Sequence, residues 1–225
     1  IPPLSTKGPV ITIRKFKDDP ISSIPLKNSI ALVYQFVTGA LGFTEHKHEG
    51  KITGLAGFGL PKYIKNFEDM YTKTNVGNGL AKNEYNFPLS VDDKNAIKKK
   101  KIIDFNDFLM LKHEVYALVY DLIDQGGTRE DIAASVQLFA EKYTLRWINR
   151  YCEKGHNVYL AGGLFANVTL NKKIKDMGLF KNVFVAPPMG DEGTCIGACI
   201  YQSYRDGGFT NYNITACLGT NMDTK

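Results

Sequence analysis

The sequence predicts an α/β fold, and three observations carry that reading. Residues 157–206 alternate between short apolar runs and helical patterns, a long helix is written from Thr128 to Gly155, and further amphipathic helices precede it. With 225 residues, 44% of them hydrophobic and 12% aromatic, the chain can bury a substantial core.

Taken in order, PVITIRKF (residues 9–16) alternates as a strand does, whereas the flanking IPPLSTKG and DDPISSIP are turn-forming and read as irregular. Ser29 caps a helix running to Leu41, because Ile30, Val33, Tyr34, Val37 and Leu41 recur at helical spacing, and Gly42 ends it. A short helix follows HKHEGKIT to about Ala56, and Pro61 begins another, PKYIKNFEDMYTK. Residues 75–102 are polar, glycine-containing and lysine-rich, with YNFPL as a candidate strand, so an insertion is expected there. After a mixed segment from Asp104, LKHEVYALVYDLIDQG is helical.

Thr128 then opens the clearest helix, with a Thr-x-x-Asp cap and apolar residues at Ile132, Val136, Phe139, Tyr143, Trp147 and Ile148. Its length suffices to cross a whole sheet. Next come strand NVYLA, the pair Gly162-Gly163, helix LFANVTLNKKIKDMG, strand NVFVAP, loop PMGDEG and helix TCIGACIYQSYRDG. Two strand-helix units in succession imply adjacent parallel strands, and ligands of such sheets sit outside the strands' carboxyl ends. Both glycine loops fall there.

A glycine pair between strand and helix lets the backbone turn tightly and approach another group, and free N–H groups at a helix start favour an anion. The same arrangement also serves plain packing. Asp191, after Gly190, could bind a cation that holds phosphates or could cap the helix from Thr194. In HEGKITGLAGFG, Lys51 could place its ammonium near a phosphate, although an exposed Glu49/Lys51 pair would look the same. His46 and His48 read as surface histidines rather than metal ligands. Cys195 and Cys199, four apart on one helix, read as buried small residues facing the core rather than a metal pair. The sequons at Asn167 and Asn213 read as chance.

These residues resemble a known family. LAGGLFANVTLNKKIKDMGLFKNVFVAPPMGDEGTCIGA is similar to the signature of the carbamoyltransferases of the nodulation, cephamycin and tobramycin type. HEGKITGLAGFG resembles that family's Glu-x-Lys-Val-Met-Gly-Leu-Ala-x-Tyr-Gly motif, and DIAASVQ resembles a helix shared with the tRNA threonylcarbamoyl-modifying proteins. The resemblance implies a ribonuclease H-like lobe of the actin, Hsp70 and sugar-kinase ATPase fold, a mixed sheet with flanking helices. It implies a single lobe over residues 1–225, the second of its Kae1-like domain, with 207–225 as a tail or linker.

It further implies ATP and a divalent metal (Fe²⁺ or Mg²⁺) as cofactors, and transfer of a carbamoyl group from carbamoyl phosphate through a carbamoyl-adenylate to a hydroxyl acceptor. Gly162, Gly163 and Asn167 would line the nucleotide site, Glu49 and Lys51 would face ribose or phosphates with Lys51 the catalytic candidate, and Asp191 would be the metal ligand. The family's His-x-x-x-His ligand motif has no counterpart in this chain, so the remaining ligands are expected outside it. A chain beginning at Ile1 is read as an excised part of a larger enzyme, inactive alone, whose partners are the remaining domains. A nucleotide-binding lobe without carbamoyl chemistry is the alternative.

Composition narrows the classes. The formal charge of +5 is concentrated in Lys94 and Lys98–Lys101, with no aromatic residues interleaved, so a solvated surface is expected and no nucleic-acid partner. No apolar run approaches the roughly 20 residues a membrane span needs. Scattered cysteines and the lack of a signal-like start give a cytoplasmic expectation.

Overall fold

The computed structural model describes residues 11–14, 20–24, 29–76 and 105–208. The chain divides into two compact units, Ile1–Glu153 and Lys154–Lys225.

The first unit opens with strands β1 (Ile11–Arg14) and β2 (Pro20–Ile24), paired antiparallel with a register shift between Ile13 and Arg14. The turn-forming PISSI segment thus forms a strand where the sequence suggested irregular chain, because a neighbouring strand supplies the pairing that its composition does not signal. Five helices follow: α1 (Ile30–Ala40), α2 (Glu49–Ala56), α3 (Ile64–Val76), α4 (Phe105–Asp124) and α5 (Arg129–Tyr151). Ser29 caps α1 as its composition predicts, its hydroxyl accepting the Leu32 N–H at 3.3 Å, and Gly42 leaves the helix at φ +81°. The candidate strand YNFPL and most of the expected insertion lie outside the described residues.

Helix α5 is the axis of this unit. Every residue from Asp131 to Gln137 is buried, which a helix achieves only when it is covered on more than one side. Helices α1, α2, α3 and α4 supply that cover, so the long helix packs against helices rather than crossing a sheet. Phe139 is fully buried among Phe67, Tyr71 and Tyr143, with ring centroids 4.6–6.1 Å apart. Tilted and edge-on pairs at these separations add to the burial of four large rings. A hydrogen-bonded chain crosses the same interior: the Tyr34 hydroxyl lies 2.8 Å from both Thr53 Oγ1 and Gln137 Oε1, and Gln137 donates to Glu141. Burial raises the Tyr34 phenol well above its ordinary range.

The second unit holds β3 (Asn157–Leu160), a 3₁₀ turn (Gly163–Ala166), α6 (Val168–Asp176), β4 (Asn182–Val185) and α7 (Gly193–Arg205). Strands β3 and β4 pair in parallel with Leu160 opposite Val185, as two consecutive strand-helix units require. Side chains alternate across the pair: Leu160 is buried, while Tyr159 and Phe184 stand on the other face, stacked at 5.0 Å and largely exposed. The fold is therefore α/β, and among the described residues its strands form two separate two-stranded sheets.

The structure corrects one side-chain expectation here. Cys195 and Cys199 are exposed, and α7 has no buried residue. Their helical spacing is right, but no described element covers the face that carries them.

Candidate functional site

The two glycine loops meet at the carboxyl ends of β3 and β4. The parallel ladder closes with the Ala186 N–H donating to the Leu160 carbonyl at 3.0 Å. One step further, the Gly162 N–H donates to the Met189 carbonyl at 2.7 Å and so ties the first loop to the second. Gly162 stands at φ +106°, ψ +154°, a conformation open almost only to glycine. Gly163 has an ordinary φ, is exposed, and an added Cβ would meet nothing within 4 Å. The pair thus divides its work: Gly162 makes the turn, and Gly163 keeps the surface of the loop bare.

The helix expected directly after this pair begins later. A four-residue 3₁₀ turn intervenes, and α6 starts at Val168 under a cap formed by Asn167, whose Oδ1 accepts the Leu170 N–H at 3.1 Å and the Thr169 hydroxyl at 2.8 Å. Asn167 is buried. Asn171 donates to the Phe165 carbonyl at 2.7 Å and fastens α6 back onto the turn. The N–H groups of Gly163 and Leu164 donate to no group among the described residues.

Asp191 is exposed, and its carboxylate has no hydrogen-bond partner among the described residues. It is not the cap of α7. The residue before that helix is Glu192, which itself has helical backbone angles and makes no side-chain cap bond, while Asp191 contributes only its carbonyl, to the Thr194 N–H at 3.1 Å. No group of three or more His, Cys, Asp or Glu side chains suited to a metal exists among the described residues. Asp191 thus belongs to no such cluster among the described residues. A groove of about 400 Å³ beside α6 and β4 is lined by Lys172, Lys175 and Val183 among others and contains none of the candidate residues.

In the first unit, Glu49 and Lys51 lie in the first turn of α2. Glu49 is engaged locally, its Oε1 accepting the His46 N–H at 2.6 Å, with His46 in the left-handed region at φ +64°. A carboxylate that takes up the amide of a strained residue explains how a non-glycine residue holds that conformation. His48 is also used internally, its Nδ1 accepting the Thr44 N–H at 3.1 Å. Lys51 is exposed, with its ammonium 5.7 Å from the centroid of the Phe43 ring.

Asp131 does more than the Thr-x-x-Asp pattern predicts. Thr128 does cap α5, accepting the Asp131 N–H at 3.2 Å, but the Asp131 carboxylate turns to the loop before α3. It accepts the Leu60 N–H at 2.8 Å and pairs with Lys62 at 2.7 Å, and these two bonds, the first above all, hold its pKa below the ordinary value. The Thr-x-x-Asp spacing marked the residue; the direction of its side chain depends on a segment 70 residues earlier.

Sequence comparison adds the family. The carbamoyltransferase N-terminus family model matches residues 12–200, and the chain belongs to that family. The uncharacterized protein sll1178 of Synechocystis sp. is 31% identical over 183 residues, covering 79% of this chain and 28% of that protein. Nodulation protein NolNO of Sinorhizobium fredii is 26% identical over 187 residues, 82% of this chain and 24% of its own length. Nodulation protein NolO of Bradyrhizobium diazoefficiens is 31% identical over 120 residues, 40% of this chain and 22% of its own length. The chain therefore spans less than a third of each of these relatives.

Proposed function

We propose that this chain is one lobe of the nucleotide-binding domain of an ATP-dependent carbamoyltransferase, which moves a carbamoyl group from carbamoyl phosphate, through a carbamoyl-adenylate, to an acceptor hydroxyl. The observation that carries this reading is the family match over residues 12–200. On this reading the lobe is of the ribonuclease H-like kind found in actin, Hsp70 and sugar kinases, and the site is completed by other parts of a larger protein, so the isolated chain does not turn over.

The loop geometry fits a phosphate. Two amides without a partner among the described residues, at Gly163 and Leu164, stand beside a position with no Cβ, after the left-handed turn at Gly162. These amides would hold an anion of the nucleotide, and Asn167 would act by fixing the turn from below. Asp191, in the loop after β4 and without a side-chain partner among the described residues, would offer a carboxylate to a cation. When bound, ATP would supply the adenylyl group of the carbamoyl-adenylate, with pyrophosphate as its leaving group and water taking the phosphate from carbamoyl phosphate. For Lys51 and Glu49, in the first unit, a role toward phosphates or ribose rests on the family resemblance of HEGKITGLAGFG alone.

The test is pyrophosphate release from ATP by the full-length protein, measured with and without carbamoyl phosphate. Release that depends on carbamoyl phosphate is the expected result. ATP binding without any such dependence would instead indicate a nucleotide-binding lobe without carbamoyl chemistry.

A further inference from the structure

Helix α2 carries Glu49 and Lys51, and its far end runs into the loop Gly57–Lys62. That loop has little core of its own: Phe58 is 85% exposed and Leu60 is 63% exposed. A segment that exposes its apolar side chains is held by something other than burial. What holds it is the start of α5. Asp131 accepts the Leu60 N–H and pairs with Lys62, and Ser135, one turn on, accepts the Tyr63 N–H at 2.9 Å while donating its own hydroxyl to the Asp131 carbonyl at 2.6 Å. Gly59 lies so close that a Cβ there would collide with the Glu130 carbonyl and come within 2.6 Å of the Asp131 nitrogen. Backbone, side chain and glycine thus press one short loop onto one helical turn.

We infer that Asp131 is a positioning residue within the first unit: by locking the Gly57–Lys62 loop to α5 it fixes the carboxyl end of α2, whose middle is held by buried Ile52 and by the Thr53–Tyr34 bond, and so helps set the helix that carries Glu49 and Lys51, to which the proposed function assigns nucleotide contacts. This rests on the carbamoyltransferase reading for its functional half and on geometry alone for its structural half. The chemistry favours a carboxylate at this position. Its two oxygens serve two donors at once, Oδ1 for the Leu60 amide and Oδ2 for the Lys62 ammonium. Side-chain oxygens that bind a backbone amide fix the chain more rigidly than contacts between two mobile side chains, because only one of the partners has rotamers to lose.

The experiment pairs Asp131→Ala with Asp131→Asn in the full-length protein. Asparagine keeps an oxygen for the Leu60 amide and gives up the charge; alanine removes both bonds. Hydrogen exchange is read at Leu60 and along Glu49–Ala56, and ATP affinity is read by calorimetry at a temperature where each variant is folded. In Asp131→Ala, protection at Leu60 and in α2 should fall about three- to tenfold and the ATP Kd should rise by a similar factor, whereas Asp131→Asn should keep most of both. A merely stabilising residue would lower the melting temperature and leave the Kd of the folded protein unchanged, which would overturn the inference. Unchanged exchange in α2 would overturn it as well. If wild-type protein binds no ATP, the functional reading of the site fails, and the exchange data alone still decide whether Asp131 sets α2.

Discussion

The Gly162-Gly163 pair offers the sharpest test, because the two residues are adjacent, chemically identical and differently constrained. Replacing Gly162 by alanine places a Cβ at φ +106°, ψ +154°, a region essentially restricted to glycine, at a cost of about 1–3 kcal/mol. Replacing Gly163 by alanine meets no atom within 4 Å and requires no positive φ, so its cost is near zero, and the loss of unfolded-state freedom can make it stabilising by about 0.4–1 kcal/mol. Stability therefore separates the two positions by at least about 1 kcal/mol. Valine at Gly163 adds bulk where the proposed phosphate approaches, against nothing in the protein itself. Urea denaturation of each variant, followed by ATP titration of the folded full-length protein, measures both effects. Gly163→Val should bind ATP at least about tenfold more weakly, equivalent to 1.4 kcal/mol, with a near-normal denaturation midpoint. A folded Gly163→Val protein with unchanged affinity would refute the phosphate reading, and a Gly163→Ala protein as unstable as Gly162→Ala would refute the geometry beneath it.

Asp191→Asn should abolish or sharply reduce carbamoyl-phosphate-dependent pyrophosphate release with no change in melting temperature, since the exposed carboxylate makes no cap bond to α7; near-normal turnover would remove it from the site. Thr128→Ala should lower stability by about 1 kcal/mol in a denaturant titration, because the Asp131 N–H loses its cap. At acid pH, Glu45 should contribute a measurable share of the loss of stability. Burial works to raise its pKa, but bonds from Lys112, Tyr116 and Gln35 outweigh it and the net value falls below 4.5. A depressed folded pKa gives stability that is present above 4.5 and lost as pH falls through the lower value, so denaturation midpoints below about pH 4 should decline less steeply in Glu45→Gln than in wild type.

Local signals were legible wherever the cause was local. Ser29, Thr128 and Gly42 act within a turn of the residues they cap or terminate, and the apolar spacing of α1 and α5 survives intact in the structure. The parallel pairing of β3 and β4 was also legible, since two consecutive strand-helix units leave a chain few other courses. What composition could not show was partnership across distance. PISSI becomes a strand because β1 lies beside it, α5 is buried by helices rather than a sheet, and the carboxylate of Asp131 reaches beyond its own cap to Leu60 and Lys62. The helix after Gly163 began four residues late for a related reason, because Asn167 competes for the amides that would otherwise continue the turn.

The candidate residues differ in how far the fold already uses them. A side chain whose bonds are satisfied within the fold must break one before it can hold a ligand, whereas an unengaged group loses only water. Asn167 and Glu49 are committed, the first to the cap of α6 and the second to the amide of His46. On the proposed function their roles would be those of supports, and substituting either should disturb the loop it braces before it disturbs a contact. Among the described residues, the Gly163 and Leu164 amides and the Asp191 carboxylate have no partner, and the Lys51 ammonium lies near the Phe43 ring. Direct contact with phosphate or cation is therefore expected from this second group. Conservative replacements should divide along the same line: Asn167→Asp, which keeps the capping oxygen, should preserve the fold and much of the ATP affinity, while Asp191→Asn, which keeps the shape and loses the charge, should preserve the fold alone.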